Sequence, residues 1–364
     1  MPIFSPLQNS KVKYFITTIL LIAVSTGANA QSFVNAKYGG DFLSVGAGAH
    51  ALGMGSAYSA IASDVTAAYW NPAGLAGVSS IDIAYMHSER FSGIVSYDYG
   101  AVAYPLSDNR GTLAISVFRQ GVDNIKNTLN AWDKERNLPR ENAEDYFEEF
   151  SVSDMGFFVS YGKEIGNGLS AGGSVKVVHH RLGPFANAWG YSLDLGTRYR
   201  SGDYHFALMV TDITTMMKFW TVNRSAFGDF EETFDDEIPT GQNEKVLPAV
   251  KAGAGRVFLV GDFRLTAAAD LDIRFENRRA YYFNAGRISF EPHFGFEGRY
   301  KERISLRFGL TDFNTDPDHK IYMSPTLGSG LHFTNIHIDY GFSNFSGVSE
   351  VLGVTHRISL RIVL

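Results

Sequence analysis

The sequence contains no cysteine, which excludes structural disulfides and a lipoprotein anchor on an N-terminal thiol. Long apolar runs are missing as well: beyond residue 30 no stretch approaches the ~20 residues that a transmembrane helix requires. Basic side chains are not in excess either, because 32 Lys and Arg stand against 38 Asp and Glu. This acidic balance argues against a nucleic-acid partner.

The first 30 residues have the pattern of a secretion signal. Lys11 and Lys13 precede the apolar run 15–24, and the small residues 28–30 (Ala-Asn-Ala) follow it. This order predicts a cleaved signal peptide over 1–30. An N-terminal membrane anchor is the alternative, but the apolar run is shorter than a bilayer span. Because residues 1–30 hold two lysines and no acid, cleavage lowers the formal net charge from −6 to −8.

Alternating apolar and polar residues dominate the rest of the chain. Within 264–276, one face is apolar and the opposite face carries Asp270, Asp272 and Arg274. Such period-2 patterning predicts strands with one apolar and one polar surface. A secreted β-sandwich would also show it, but with strands of about five or six residues. These runs are nearer the ~9–11 residues that cross a membrane at a tilt.

The pattern predicts fourteen strands whose connections alternate in length. They span 81–88, 95–105, 111–120, 152–163, 168–180, 188–200, 203–211, 248–259, 262–276, 291–300, 303–312, 324–333, 335–344 and 353–364. Even-numbered strands end in short links, whereas odd-numbered strands feed most of the long links, namely 121–151, 212–247, 277–290 and 313–323. Short periplasmic turns with longer extracellular loops are typical of bacterial outer-membrane barrels. The expected fold is all-β: a transmembrane antiparallel β-barrel of about 14 strands over 81–364, with both termini periplasmic.

A segment rich in small residues, 46–78, lies between the signal and the first predicted strand. It holds too few large aliphatic side chains to form a core of its own. Small residues allow backbones to pack closely together. We therefore expect 31–80 to form a plug, or hatch, inside the barrel lumen.

Part of this segment resembles the N-terminal signature of the PorV/PorQ family of outer-membrane proteins. The similarity covers 42–78: FLSVGAGAHALGMG is followed by Asp64 and then by TAAYWNPAGL. That family is related in fold to the FadL-type fatty-acid channels, fourteen-stranded barrels with an N-terminal hatch. The resemblance implies association with the type IX secretion system, in which PorV-like members bind secreted cargo and PorQ-like members hold the attachment complex together. The motif has the generic family form and does not distinguish these branches.

Each residue of the hatch motif has a physical interpretation. Gly53 and Gly55 permit positive φ or close approach to the barrel wall. Asp64 precedes the helix-like run 65–70 and is expected to cap its N-terminus. Asn71 is expected to be extended before proline and to hydrogen-bond neighbouring backbone in a turn that seats the plug, with a ligand contact as the alternative. The candidate hatch residues are Gly53, Gly55, Asp64, Asn71, Pro72, Ala73 and Gly74.

No pattern of catalytic residues stands out. His179 and His180 are adjacent on a strand and face opposite surfaces, which prevents them from sharing one metal ion. Paired carboxylates suggest acid–base chemistry, but charges in a barrel lumen more often neutralise one another across strands. The lumen charges are Asp270, Asp272, Arg274 and Arg307. We predict a protein that is not an enzyme, with no cofactor and no metal.

Two long links hold the remaining features. Residues 120–150 contain eight acidic and four basic side chains, and 212–247 contain eight acidic and three basic ones. Both fit solvated extracellular loops, and calcium is a candidate ligand although no EF-hand spacing is present. The second link includes the apolar stretch Met216, Met217, Phe219 and Trp220. Adaptable Met beside aromatic side chains favours a partner-binding surface, and an inward-folded lid is the alternative.

Two functions follow as expectations. The first, favoured by a lumen dominated by charge and glycine, is a non-enzymatic outer-membrane barrel of the PorV/PorQ type. It would bind protein partners or cargo of the type IX secretion system through its extracellular loops. The alternative is a FadL-like channel for hydrophobic small molecules. Both place the protein among outer-membrane lipids after export by a cleaved signal peptide, and neither involves nucleic acid.

Overall fold

The computed structural model describes residues 33–234, 236–276, 283–315, 321–344 and 354–364; the predicted signal peptide lies outside them. Fourteen antiparallel strands form a closed barrel. They are β1 (Asp82–Arg90), β2 (Val95–Pro105), β3 (Thr112–Asn127), β4 (Glu148–Gly166), β5 (Leu169–Leu182), β6 (Ala186–Ser201), β7 (Tyr204–Thr211), β8 (Ala249–Val260), β9 (Phe263–Arg274), β10 (Ile288–Tyr300), β11 (Ile304–Thr315), β12 (Ile321–His332), β13 (Ile336–Asn344) and β14 (Val354–Val363). Strand β1 pairs with β2 on one side and with β14 on the other, which closes the sheet. The predicted fourteen-stranded antiparallel barrel is confirmed.

The two ends of the barrel differ in the length of their connections. After each even-numbered strand the chain turns within six residues or fewer, whereas the longest connections, 128–147 and 212–248, follow β3 and β7. We call these the short-turn end and the long-loop end. In the turn after β4, Asn167 and Gly168 have φ of +53° and +78°, as a tight two-residue hairpin requires.

Strands β3 and β4 are longer than the sequence pattern indicated. They pair well beyond residue 120, into the segment 121–151 that we expected to be a loop. A break in register lies between Val122 and Ile125, where Asn124 has φ of +59°. Because such a bulge interrupts the two-residue period, the alternation ended there in the sequence although the hydrogen-bonded ladder continues.

The barrel wall has an apolar outer face and a polar inner face. In β12, Ser324 and Thr326 are fully buried, while Leu327 and Leu331 leave 54% and 49% of their surface exposed. The same alternation runs through the other strands, as a period of two requires. Large apolar side chains on the outer face include Ile115, Val159, Val175, Phe296, Leu306 and Ile358. In the part of the chain that the structure describes, no helix is long and apolar enough to cross a membrane.

Residues 41–78, which we call the hatch, are packed against the inner faces of the strands. They form short helical turns: Asp41–Leu43, Ala49–Gly53, Ala67–Trp70 and Pro72–Gly77. The hydrophobic core lies between hatch and wall, where Tyr69 stacks on Phe118 at 5.8 Å and contacts Phe158 and Tyr99 edge-on. The core is thus shared by both parts, and neither encloses it alone.

Candidate functional site

The hatch contacts the wall where three neighbouring strands carry glycine at the same level. Gly162, Gly172 and Gly196 are directly paired across β4, β5 and β6. A Cβ on Gly172 would lie 2.4 Å from the carbonyl carbon of Pro72, and one on Gly196 would lie 2.1 Å from Asn71 Oδ1. The Asn71-Pro72 turn therefore fits only against bare backbone.

A second group of glycines contacts another part of the hatch. Gly295 and Gly309 are paired across β10 and β11, and a Cβ on either would lie within 2.3 Å of the hatch backbone. Gly55 packs there with φ of +60°, a conformation that glycine adopts without strain. A Cβ on Gly53 would lie 2.9 Å from the Cα of Gly328. Glycine is thus needed at position 55 both for its positive φ and for close approach to the wall. At position 53 it is needed only for close approach.

Side-chain hydrogen bonds hold the Asn71-Pro72 turn. Asn71 is extended, with φ of −168° and ψ of 105°, as favoured before proline. Its Oδ1 accepts from the N–H of Ala73 at 3.1 Å, and its Nδ2 donates to the carbonyl of Thr197 in β6 at 3.1 Å. Gly74 packs so tightly that a Cβ would lie 2.3 Å from a hatch carbonyl oxygen. Asn71 therefore joins the turn directly to the wall.

Asp64 begins the turn that leads into helix Ala67–Trp70. Thr66 is the N-cap of the regular helix and has no side-chain cap, but the carbonyl of Asp64 already accepts from the N–H of Ala67. Asp64 Oδ1 accepts from the N–H and the hydroxyl of Thr66 at 2.9 and 2.5 Å, as a capping aspartate does for the second residue of the run 65–70. Its Oδ2 lies 3.5 Å from Arg361 in β14. Burial raises the pKa of Asp64, but Arg361 and the Thr66 hydrogen bonds outweigh burial and lower the pKa.

Asp270 in β9 binds the hatch backbone. Its Oδ2 accepts from the N–H groups of Tyr58 and Ser59 at 3.1 and 2.8 Å, and only 3% of the residue is exposed. Gly253 on the neighbouring strand leaves room for this contact, since a Cβ there would lie 2.6 Å from Asp270 Oδ1. A carboxylate that accepts two backbone donors makes strong, charge-assisted hydrogen bonds.

Other lumen charges form ion pairs across strands. Arg307 Nε lies 2.6 Å from Glu297, and its Nη1 lies 2.7 Å from Asp339. Asp272 lies 2.5 Å from Lys251 in β8. Opposite charges at such distances offset part of the cost of burial. Arg274, the fourth predicted lumen charge, lies at the long-loop end of β9 and lines a cavity.

The sequence reasoning missed a buried ion cluster around Lys176 in β5. Lys176 in β5 lies 3.1 Å from Asp194 in β6 and 2.7 Å from Asp212. All three are at least nine-tenths buried, and the N–H of Asp212 also donates to Asp194 at 2.7 Å. The signal was present in the alternation, which put Lys176 on the polar face of its predicted strand, but the partner of a charge depends on register.

His50 was missed as well, and it connects the hatch with the Arg307 cluster. Its Nε2 lies 3.1 Å from Glu297, and its Nδ1 lies 3.3 Å from the hydroxyl of Tyr58. Burial lowers the pKa of His50, the charge of Arg307 lowers it further, and Glu297 opposes both. The hatch therefore presents a neutral imidazole to this cluster near pH 7.

The apolar stretch Met216, Met217, Phe219 and Trp220 belongs to a strand, Met216–Val222, and not to the loop that we predicted. This strand pairs with the long-loop end of β6, so its side chains alternate in direction. Met216 is fully buried, whereas Met217 and Phe219 are 45% and 41% exposed. Trp220 stacks on His180 at 6.0 Å. Neither a partner surface nor a lid describes the whole stretch, because its two faces have different surroundings.

Two adjacent cavities lie between the hatch and the wall. The first, of about 100 Å³, is lined by both apolar and charged side chains. The apolar ones include Leu43, Tyr69, Trp70, Phe158, Met209 and Met216, and the charged ones include Lys176, Asp194, Lys251, Asp272 and Arg274. The second, of about 170 Å³, shares Trp70, Lys251 and Asp272 with the first. It is the more polar of the two and also contains Glu291, His293 and Arg357.

The fold and these cavities can be compared with known proteins. No family model and no curated protein sequence matches this chain. The monoaromatic hydrocarbon channel CymD matches in structure with a TM-score of 0.53 at 12% identity, over 88% of this chain and 98% of its own. The toluene transporter TodX of Pseudomonas putida matches with a TM-score of 0.51 at 11% identity, over 88% and 99%. At such identities the likeness shows the fold alone: the predicted FadL-like barrel fold is confirmed, and the PorV/PorQ assignment stays a prediction.

Proposed function

We propose that this protein is an outer-membrane channel for small hydrophobic molecules, with the hatch as the plug of its lumen. The observation that carries the proposal is the half-apolar cavity between hatch and wall, in a barrel with the fold of hydrocarbon channels. Ligand sites are typically concave and mostly apolar with a few polar groups, and burial removes apolar ligand surface from water. The sequence alone favoured a partner-binding barrel of the PorV/PorQ type and offered a channel for hydrophobic molecules as the alternative.

The outer face supports a membrane location. Trp189 and Tyr191 at the long-loop end of β6 are exposed, and they pair directly with Phe219 and Met217 of the strand 216–222. Aromatic girdles at this level are typical of outer-membrane barrels. The exposed half of the predicted partner surface is therefore explained by contact with lipid.

The charged lumen, which we expected to disfavour a hydrophobic ligand, is compatible with one. Lys176 and Lys251 each lie within 3.1 Å of an aspartate carboxylate. A ligand in the first cavity therefore meets both pairs of opposite charge and aromatic rings. Water competes with a hydrophobic ligand for this cavity. Paired charges hold water less strongly than isolated charges do.

Filling the first cavity tests the channel function. Met209 is 3% exposed and lines this cavity, while its neighbour Leu208 is 50% exposed on the outer face. Cells that lack other hydrocarbon channels would produce Met209→Trp or Leu208→Trp, and uptake of radiolabelled toluene would be measured. We expect a several-fold loss for Met209→Trp and no change for Leu208→Trp, with heat-modifiable migration showing that both barrels assemble. Undiminished uptake by an assembled Met209→Trp barrel contradicts the proposal.

The partner-binding function implied by the hatch motif is a second candidate, and one observation favours it. At the long-loop end, residues 128–147 pack against residues 223–234: Trp132 lies 5.9 Å from Phe234 between ring centroids, and Lys134 lies 3.6 Å from Asp229. An ordered surface on a rigid barrel is suited to protein recognition. We infer that a PorV/PorQ-type partner, a secretion component or secreted cargo, would bind here.

The second candidate is tested at the exposed apolar groups of this surface. Leu138, Tyr146 and Phe234 are 59%, 42% and 42% exposed. Replacing all three with Ser should remove protein partners that co-purify with the tagged protein from detergent-solubilised outer membranes, while toluene uptake is unaffected. Co-purification of the same partners by the triple variant, or of none by the wild type, would rule out this candidate.

A further inference from the structure

Three side chains on β9 and β10 form a cluster, and of these only Asp272 also lines the first cavity. Asp272 is paired directly with Glu291, and His293 is two residues after Glu291 on the same face of β10. His293 Nε2 lies 3.9 Å from Asp272 Oδ2 and 3.8 Å from Glu291 Oε2. One atom from each residue can be chosen so that all three lie within 4.8 Å of one another.

The imidazole nitrogen at the centre of this cluster lacks a hydrogen bond. Among the described residues His293 Nε2 has no hydrogen-bond partner, although only 4% of the residue is exposed. Buried polar atoms are almost always paired. A buried nitrogen that faces two carboxylates without a hydrogen bond is open to a cation or a water between them.

The other ring nitrogen is already held. His293 Nδ1 lies 3.2 Å from the carbonyl oxygen of Gly55 in the hatch and 2.9 Å from the hydroxyl of Thr311. A carbonyl only accepts hydrogen bonds, so the contact with Gly55 requires the proton on Nδ1 and leaves a lone pair on Nε2. Histidines that bind metals typically donate their second N–H to a carbonyl or carboxylate in this way.

We propose that Asp272, Glu291 and His293 bind a divalent transition-metal cation of the Zn²⁺ or Mn²⁺ type. One imidazole nitrogen with carboxylate oxygens suits such cations, whereas Ca²⁺ and Mg²⁺ favour oxygen ligands alone. Metal–ligand bonds of about 2.0–2.2 Å draw the three donor atoms closer than they are now, by rotation of the two carboxylate side chains. Water completes the coordination from the second cavity.

Lys251 determines how strongly a cation competes for this site. Its Nζ lies 2.5 Å from Asp272 Oδ1, while Asp272 Oδ2 faces His293. The ammonium group therefore shares the carboxylate with the cation and repels it. Arg274, two residues after Asp272 on the same face of β9, adds positive charge. Removal of the Lys251 charge should strengthen cation binding.

A bound cation would also stabilise the docked hatch, because His293 contacts both the cation and the Gly55 carbonyl. This coupling provides a readout separate from affinity. Amide hydrogen exchange of residues 53–57 should slow when the metal is added to the wild type. The same addition should leave exchange unchanged in a variant that has lost the site.

The affinity test uses the purified full-length barrel in detergent after removal of bound metal with EDTA. Titration calorimetry with ZnCl₂ and MnCl₂ should show one equivalent bound by the wild type and at least about tenfold weaker binding by Glu291→Gln and His293→Gln. Lys251→Met should bind several-fold more tightly. The matched control is His180→Gln, a buried histidine 2.7 Å from Asp154, which should bind as the wild type does.

X-ray absorption of the zinc-loaded wild type provides a measurement that does not depend on variants folding. The first shell should contain one imidazole nitrogen with oxygen donors otherwise. An assembled wild type that binds no metal, a first shell without imidazole, unchanged binding by an assembled Glu291→Gln barrel, or tighter binding of Ca²⁺ than of Zn²⁺ would each overturn the proposal.

Discussion

Asn71 in the hatch lies so close to Gly196 in β6 that a methyl group at position 196 would be 2.1 Å from the Asn71 side-chain oxygen. Gly172 and Gly162 extend the same bare strip over the next two strands. The docking position of the hatch is thus determined by the absence of side chains at these wall glycines as well as by the hydrogen bonds between hatch and wall.

Adding the missing methyl group should displace the hatch. In Gly196→Ala the Asn71-Pro72 turn has no space, so we expect Cys introduced at the fully buried Ala73 to react with a bulky, water-soluble maleimide much faster than in the parent. Gly100→Ala is the control, because a Cβ there meets no atom within 4 Å. Equally slow labelling in both backgrounds would show that the wall yields instead.

The location of the hatch can be tested without altering the wall. Ala57, Ala67 and Ala73 are fully buried, and the chain has no native cysteine. Single Cys substitutions there should resist the same reagent in the assembled protein, while Glu135→Cys on an exposed loop reacts at once. Rapid labelling of all three buried positions would mean that this segment is outside the barrel.

Removing the Asp270 carboxylate should loosen one part of the hatch and spare the barrel. Asp270→Ala leaves the N–H groups of Tyr58 and Ser59 without their acceptor, at a cost of about 1–3 kcal/mol for each buried donor. Hydrogen exchange should therefore accelerate at residues 57–60 and remain slow in the strands. Asp262→Ala is the control, since its ion pair with Lys301 is exposed. Faster exchange throughout β9 would show that Asp270 supports the wall itself.

Strand alternation was readable from the sequence because each barrel strand has lipid-type residues on one face and small polar residues on the other. The reading failed where that period breaks, at the bulge between Val122 and Ile125, and at Met216–Val222, whose one buried face made it look like an apolar loop. Contacts between side chains on different strands could not be predicted from the sequence, because they depend on the register of the strands. Glu291 and His293 stand two apart in the sequence, but only the register of β9 against β10 shows that Asp272 faces them. The sequence alone therefore could not bring these three side chains together.

The lowered pKa of Asp64 predicts that docking of the hatch depends on pH. Burial raises the pKa of Asp64, but Arg361 and the Thr66 hydrogen bonds lower it by more than burial raises it. The pKa in the folded state therefore lies below the unfolded value. Such a group stabilises the folded state fully above its unfolded pKa of about 4, and the contribution is lost as the pH falls through the folded pKa. In a background in which the other three tryptophans are replaced with Phe, fluorescence of the buried Trp70 should therefore report hatch release at a lower pH than in the same background with Asp64→Asn.

The comparison for Asp64 is Asp64→Asn, which cannot titrate. Its hatch should be less stable than the parent's near pH 7, and the two pH profiles should converge below pH 4. Both proteins carry His50→Gln, because the charge of His50 also lowers the pKa of Asp64 and its titration would not cancel in the difference. Parallel profiles over the whole range would show that the Arg361 contact does not depend on the charge of Asp64.

Two experiments on the strand Met216–Val222 distinguish contact with lipid from contact with a protein partner. The chain has four tryptophans, of which Trp70 is buried in the hatch and Trp189 is exposed beside Phe219. In vesicles of brominated lipid we expect strong quenching of the wild-type fluorescence, and a smaller quenched fraction in Trp189→Phe. Met217→Ser combined with Phe219→Ser should leave partner co-purification unchanged, because these exposed side chains face lipid in the proposed channel. Met216 is kept in this variant since it is buried and lines the first cavity. If the double variant loses its partners while Trp189 is not quenched, this face binds protein, as the sequence alone led us to expect.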